Sequence, residues 1–92
     1  MKSIVQTDTK GCYLCGKIVG LERHHIFAGT ANRKLSEKYG LWVWLCHDCH
    51  TGTAGAQYDA TKGRMLKMDA QYAFERTHSR REWMQIFRKN YL

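Results

Sequence analysis

The sequence predicts a single small α+β domain over residues 1–92, and three features of the chain support this class. Leu41–Cys46, LWVWLC, is a short apolar, aromatic and β-branched run that follows Gly40, which is typical of a strand. Apolar residues recur at three- and four-residue spacing over 64–77 and 79–91, which predicts two closing helices. Two Cys-x2-Cys pairs add a cross-link that so short a chain would benefit from.

Outside Leu41–Cys46, the first 63 residues carry weaker structural signals. Residues 1–10 are polar and predict a loosely held lead-in, and residues 11–25 hold a cysteine-bearing turn followed by β-prone residues. Residues 26–40 mix small, basic and polar residues, which indicates a loop with one helical turn around Ser36–Tyr39. Residues 51–63 are rich in glycine and indicate a loop or an irregular start of a helix.

The C-terminal part, 64–92, is expected to form two helices that extend the domain. The first segment has two apolar lines, which together predict a broad apolar face: Met65, Met68 and Tyr72, and Leu66, Ala70, Ala73 and Thr77. In the second segment Ser79 and Glu82 have the spacing of a capping box, and Trp83 opens the apolar face. Both faces are expected to pack into the core.

The charge of the chain bears on its partners. A net charge of +7 suggests a polyanionic partner, of which nucleic acid is the usual one, although a solvated basic surface remains the alternative. No apolar run approaches the ~18 residues of a membrane span, and the N-terminus lacks the apolar region of a signal peptide. We therefore expect a cytoplasmic protein, with no membrane partner and with reduced thiols.

The four cysteines form two pairs, Cys12 with Cys15 and Cys46 with Cys49. Each Cys-x2-Cys turn presents two sulfurs on one side of a tight loop, and two such turns supply the four thiolates of a tetrahedral Zn²⁺ site. Two disulfides are disfavoured in a reducing compartment, and a redox pair would need a βαβ pattern that the chain lacks. The sequence therefore predicts a structural zinc ion.

Three histidines lie next to these cysteines in the sequence or follow them closely. His50 directly follows Cys49, and His24 and His25 end the segment that leaves the first cysteine pair. A shared metal ion would bring these two distant stretches together. Adjacent residues face different directions, so His24 and His25 are expected to do different jobs. The alternative is that they are ordinary surface or packed histidines.

The motifs CYLC, RHHI and LWVWLCHDCH, with Asn32 as a looser match, resemble the HNH endonucleases over roughly residues 11–75. The likeness is strongest to small phage proteins related to the recombination-enhancing, recombinase-dependent HNH nucleases. The resemblance implies a zinc-stapled ββα-metal core, HNH-like and treble-clef-like, in which two cysteine pairs enclose a β-hairpin and a helix follows. A second metal would lie between hairpin and helix.

The resemblance also implies residue roles. His25 would be the general base, because a neutral imidazole has a pKa near the working pH. His24 and His50 would hold a catalytic Mg²⁺ or other divalent ion. Asn32, or a nearby backbone carbonyl, would orient His25, although Asn32 is equally expected as a simple turn residue. The candidates for contact with phosphate are Arg33 and Lys34.

The chain departs from the family pattern at its third metal ligand. A further histidine is common beyond the second cysteine pair, and the matching residue here is Gln57, a poorer ligand than imidazole. Asp59 or His47 would be the substitutes. The family's Asn often precedes the last strand, where this chain has Gly40, and a proline common after the paired residues is absent.

The sequence leaves two main functions open. The first is a metal-dependent DNA endonuclease that hydrolyses phosphodiesters with a His25-activated water. The second is a catalytically degenerate HNH-derived zinc protein that binds a protein or a protein–RNA defence complex, such as a CRISPR effector, in a phage setting that only the resemblance suggests. A DNA-binding zinc module without chemistry is a third possibility. Retained His24, His25 and His50 favour the first, and Gln57 favours the others.

Overall fold

A computed structural model describes residues 1–8, 10–52, 55–56 and 59–92. The chain is a small α+β structure with a two-stranded antiparallel sheet. None of the helices in these ranges is long and apolar enough to cross a membrane. The elements follow one another as β1 (Leu21–His25), α1 (Thr30–Tyr39), β2 (Trp42–Cys46), α2 (His47–Thr51), α3 (Ala60–Glu75) and α4 (Arg80–Phe87).

The strand expected at Leu41–Cys46 is confirmed as β2 and pairs with β1 over its whole length. His25 lies opposite Trp42, and His24 lies opposite Val43. Val43 is fully buried, while Ile18 and Val19 precede β1 as exposed residues. A two-stranded sheet is marginal by itself, so it depends on what packs against it. Here the buried side chains of α3 and α4 join those of β2 in one apolar cluster.

The N-terminal segment is held against β2, contrary to the loosely held lead-in expected for residues 1–10. Ser3 is buried and its hydroxyl donates to the carbonyl of Trp42. The Gln6 side chain accepts from the Trp44 N–H at 2.9 Å and donates to the Gly11 carbonyl at 2.7 Å. These bonds supply hydrogen-bond partners to the backbone groups on the edge of β2 that does not face β1. At an open strand edge, such groups would bond to water. The polar composition of residues 1–10 gives no indication of these contacts with β2.

The prediction of a loop over residues 26–40 is wrong for most of that range, because α1 is a ten-residue helix. Only Ser36 is fully buried on α1, so the helix has no continuous apolar stripe for periodicity to reveal. The helix ends at Gly40, which has φ of 70° and donates its N–H to the Ser36 carbonyl. A Cβ at Gly40 would overlap the carbonyl oxygen of Lys2, so both the conformation and the space require glycine.

Both C-terminal helices are confirmed, with shifted boundaries. α3 begins four residues earlier than expected because Asp59 caps it, accepting from the N–H groups of Thr61 and Lys62. Its buried face carries Leu66 and Phe74. The apolar line of Met65, Met68 and Tyr72 is exposed, contrary to the expectation that it packs into the core. The predicted capping box of α4 is present, and the helix ends at Phe87, earlier than expected, because Arg88 takes a left-handed conformation.

Candidate metal centre and histidine cleft

The four cysteines lie together in the fold, as the spacing predicted. All four sulfur atoms lie within 4.8 Å of one another, and the Sγ atoms of Cys15 and Cys46 are 3.6 Å apart. Four sulfurs each at about 2.3 Å from a tetrahedral Zn²⁺ ion would be about 3.8 Å from one another. The cluster therefore fits a structural metal site and is consistent with zinc.

Backbone contacts explain why the two cysteine pairs meet. The N–H of Tyr13, inside the first pair, donates to the Trp44 carbonyl of β2 at 2.8 Å, two residues before Cys46. The first pair closes on itself through the Gly16 N–H, which donates to the Cys12 carbonyl at 2.8 Å. α2 begins directly after Cys46 and carries Cys49 on its single turn. Burial acts to raise the pKa of Cys12, but hydrogen bonds from the backbone of Cys46, Cys15 and Leu14 lower it to about 6.

The same connection places His50, on α2, beside the end of β1. The ring centroids of His24 and His50 are 5.0 Å apart in an edge-to-face arrangement. These two rings and that of His25 line one cleft of about 520 Å³, together with Arg23 and Arg33. The opening is therefore lined by three imidazoles and two guanidinium groups, an arrangement suited to an anionic ligand.

His24 and His25 lie on opposite faces of β1, as expected for adjacent strand residues. His24 is partly buried, and burial first, then the charges of His50, His25 and Lys67, lower its pKa to about 4. His24 is therefore a neutral imidazole at physiological pH, which is the protonation state that binds a metal ion.

Two of the three rings are held by carboxylates. The Nε2 atom of His25 is 2.7 Å from a carboxylate oxygen of Glu37, on α1. The Nδ1 atom of His50 is 2.8 Å from a carboxylate oxygen of Glu22, on β1. The hydrogen bonds from His25 and then Arg23 lower the pKa of Glu37 to about 2, and those from His50 and then His47 lower the pKa of Glu22. Both carboxylates are therefore ionised and can only accept.

The ionised carboxylates determine where the histidine protons lie. A neutral His25 must carry its hydrogen on Nε2, which leaves the lone pair of Nδ1 available. A neutral His50 must carry its hydrogen on Nδ1, which leaves Nε2 available to a metal ion. A carboxylate behind a ligating imidazole is the usual second-shell arrangement of a metal site.

Arg23 connects this hydrogen-bonded group to the tryptophans of β2. Its guanidinium carbon lies 3.8 Å from the centroid of the Trp42 ring, and its Nη1 atom is 2.9 Å from Glu37. Stacking on an aromatic ring restricts the guanidinium, so the ion pair is better ordered than an ordinary exposed one. Arg23 therefore fixes Glu37, which in turn fixes the His25 ring.

Not every predicted residue joins the cleft. Asn32 is exposed on α1, and no hydrogen bond joins it to His25 among the residues that the structure describes; Glu37 takes the orienting position expected for it. Arg33 lines the cleft, whereas Lys34 is exposed outside its lining. The substitutes considered for the third metal ligand have other partners, since Asp59 caps α3 and His47 bonds to Glu22. Gln57 lies outside the described residues.

Sequence reasoning missed Glu22, Arg23 and Glu37. The first two were detectable in principle, because Glu22 and His24 share one face of β1, as do Arg23 and His25. Glu37 was concealed by the unpredicted helix α1. Comparison of the chain with protein-family models, with curated proteins and with solved structures found no match.

Proposed function

We propose that this chain is a metal-dependent DNA endonuclease of the HNH type, in which a zinc-stapled ββα-metal core holds the catalytic groups. The observation that carries the proposal is the convergence of His24, His25 and His50 in one cleft beside the four-cysteine cluster. The cluster would hold Zn²⁺ through Cys12, Cys15, Cys46 and Cys49, and that ion would keep β1 and α2 together. The net charge of +7 suits a polyanionic substrate.

His25 is the proposed general base. Its Nδ1 lone pair accepts a proton from the attacking water, and the ionised carboxylate of Glu37 stabilises the imidazolium that forms. A base needs a fixed ring as well as a suitable pKa, and the His25 ring is held at 2.7 Å by Glu37. Arg33, at the edge of the same cleft, would hold a phosphate oxygen of the substrate.

His24 and His50 are the proposed ligands of a second ion. A divalent ion held there would stabilise the charge that develops on the phosphate during strand cleavage. Among the described residues only the four cysteines form a group of three or more potential metal ligands, so this second site would have two protein ligands. Imidazole nitrogens suit Ni²⁺ or Zn²⁺ better than Mg²⁺, and the choice of ion in an assay therefore matters.

The proposal is tested by plasmid nicking. Supercoiled plasmid would be incubated with the zinc-loaded protein and with Mg²⁺, Mn²⁺ or Ni²⁺ in turn. We expect conversion to the nicked form with at least one ion, and loss of that activity by at least about 100-fold in His25→Ala, in line with typical general-base contributions. His78→Ala is the matched control, because His78 stacks on Phe74 and does not line the cleft.

Equal nicking by wild type and His25→Ala would contradict the proposal, since a contaminating nuclease would explain it. Absence of nicking by folded, zinc-loaded protein with every ion would also contradict it. The protein would then be better explained as a degenerate relative that binds a protein or protein–RNA complex. That alternative predicts a stoichiometric partner in a pull-down from host lysate, and recovery of DNA alone would count against it.

A further inference from the structure

A second concave surface lies beside the histidine cleft and is strongly basic. It has a volume of about 360 Å³ and is lined by Arg64 and Lys67 of α3 and by Lys89 and Tyr91 of the C-terminal segment. No ion pair in the described part of the chain includes any of its three cations. The carboxylate of Asp59 also lines it, but that group accepts two N–H groups as the cap of α3.

The C-terminal segment is fixed in place by buried contacts. Gln71 is fully buried, and its side-chain oxygen accepts from the Tyr91 N–H at 2.7 Å while its amide donates to Asn90 at 2.8 Å. The indole N–H of Trp83 donates to the Lys89 carbonyl at 2.8 Å. A buried amide that satisfies both its oxygen and its nitrogen holds the segment in a defined position. The basic surface is therefore a fixed feature of the fold.

Two of the cations contact the ring of Tyr91. The Nζ atoms of Lys67 and Lys89 lie 5.9 Å and 5.3 Å from its centroid, within the range of cation–π contacts. An anion bound beside this ring would be attracted to both ammonium groups. We call this set of Arg64, Lys67, Lys89 and Tyr91 the basic pocket.

The basic pocket adjoins the histidine cleft. Phe27 lines the cleft, and its ring centroid is 5.7 Å from that of Tyr91 in the basic pocket. On the other side, Ala56 lines the basic pocket and its N–H donates to the carbonyl of Cys49, next to His50, at 2.7 Å. A polyanion that occupies one concavity therefore passes close to the other.

We propose that the basic pocket binds a backbone phosphate of the same nucleic-acid strand that enters the histidine cleft. The inference rests on the proposed function, which supplies the strand. Charge complementarity supports this occupant, because three cations without carboxylate partners face a ligand that carries one negative charge per nucleotide. The pocket would contact phosphates and sugars and so would set the position of the strand without reading its sequence.

The test measures binding separately from cleavage. In a His25→Ala background without added divalent ion, the affinity for a fluorescent strand of about 30 nucleotides, single or duplex, would be measured by anisotropy at several salt concentrations. The test variant is Arg64→Ala/Lys89→Ala. The control, Arg81→Ala/Lys38→Ala, removes the same charge from residues that line neither concavity. Metal content and circular dichroism confirm that both variants remain folded.

We expect the test variant to bind roughly 10-fold more weakly near 0.1 M salt, with the slope of log affinity against log salt reduced by about 1.4 to 1.8 for two lost contacts. The control should change the slope by less than half as much. Equal slopes for the two variants would overturn the inference even if plasmid nicking depends on His25. A selective loss in the test variant would uphold it even if no nicking is found, and absence of nucleic-acid binding by the parent protein would overturn it.

Discussion

Removal of the ion from the four-cysteine cluster should unfold this protein, and the expected magnitude follows from its size. Folded domains are stable by roughly 0.05 to 0.15 kcal/mol per residue, which gives about 5 to 14 kcal/mol for 92 residues. A structural zinc ion contributes about 10 to 16 kcal/mol at neutral pH. The contribution of the ion would therefore be about as large as the whole free energy of unfolding expected for a domain of this size. Either a chelator or Cys46→Ser is expected to leave the chain largely unfolded.

The assay combines metal analysis with circular dichroism during titration with a strong chelator. We expect one tightly held Zn²⁺ per chain, and loss of the near-ultraviolet signal as that ion is removed. His47→Ala is the control for Cys46→Ser, because His47 lies between Cys46 and Cys49 but is an exposed residue outside the sulfur cluster. A chain that contains no metal, or that keeps its tertiary signal after complete chelation, would refute this reasoning.

Four further predictions concern single residues. Among buried serines, Ser3→Ala should cost about 1 to 3 kcal/mol in urea unfolding, because its hydroxyl donates one hydrogen bond and accepts two. Ser36→Ala should be neutral or slightly stabilising, since its buried hydroxyl has no hydrogen-bond partner in the described part of the chain; equal losses of stability in the two serine variants would contradict both predictions. Gly40→Ala should cost at least about 1 kcal/mol more than Gly20→Ala, because both need positive φ but only Gly40 lacks space for a Cβ. Glu37→Gln should remove a stabilising contribution that is present above pH 4.5 and is lost as the pH falls towards about 2, the lowered pKa of that carboxyl. Equal free energies of unfolding for the wild type and the variant at pH 7 would show that the contribution is absent.

The sequence was most informative where a residue type has few uses. A tetrahedral thiolate site needs four cysteines, and the two Cys-x2-Cys pairs therefore predicted a cluster that the fold contains. The apolar run of β2 and the capping box of α4 were equally direct, because each corresponds to one local conformation. Helix α1 was missed for the opposite reason. It buries little more than Ser36, so its stability comes from the contacts at its ends and from neighbouring elements, and those contacts are not visible in a periodic pattern.

The position of Asn32 shows why the hydrogen-bond partner of a histidine is harder to predict than a metal cluster. The base and its orienting residue need only one hydrogen bond between them, and any acceptor at the right place in the fold can make it. The family resemblance assigned that place to Asn32 by position in the sequence. In the fold the His25 ring contacts Glu37 instead, five residues further along α1 and on a different side of the helix, and Arg23, which stacks on Trp42, contacts the same carboxylate. A carboxylate stabilises an adjacent imidazolium more strongly than a neutral amide does. If His25 is a base, Glu37→Asn should lower the nicking rate, because the imidazolium that forms would lose the carboxylate beside it, while the zinc content stays unchanged. A nicking rate equal to that of the wild type would contradict this role of Glu37.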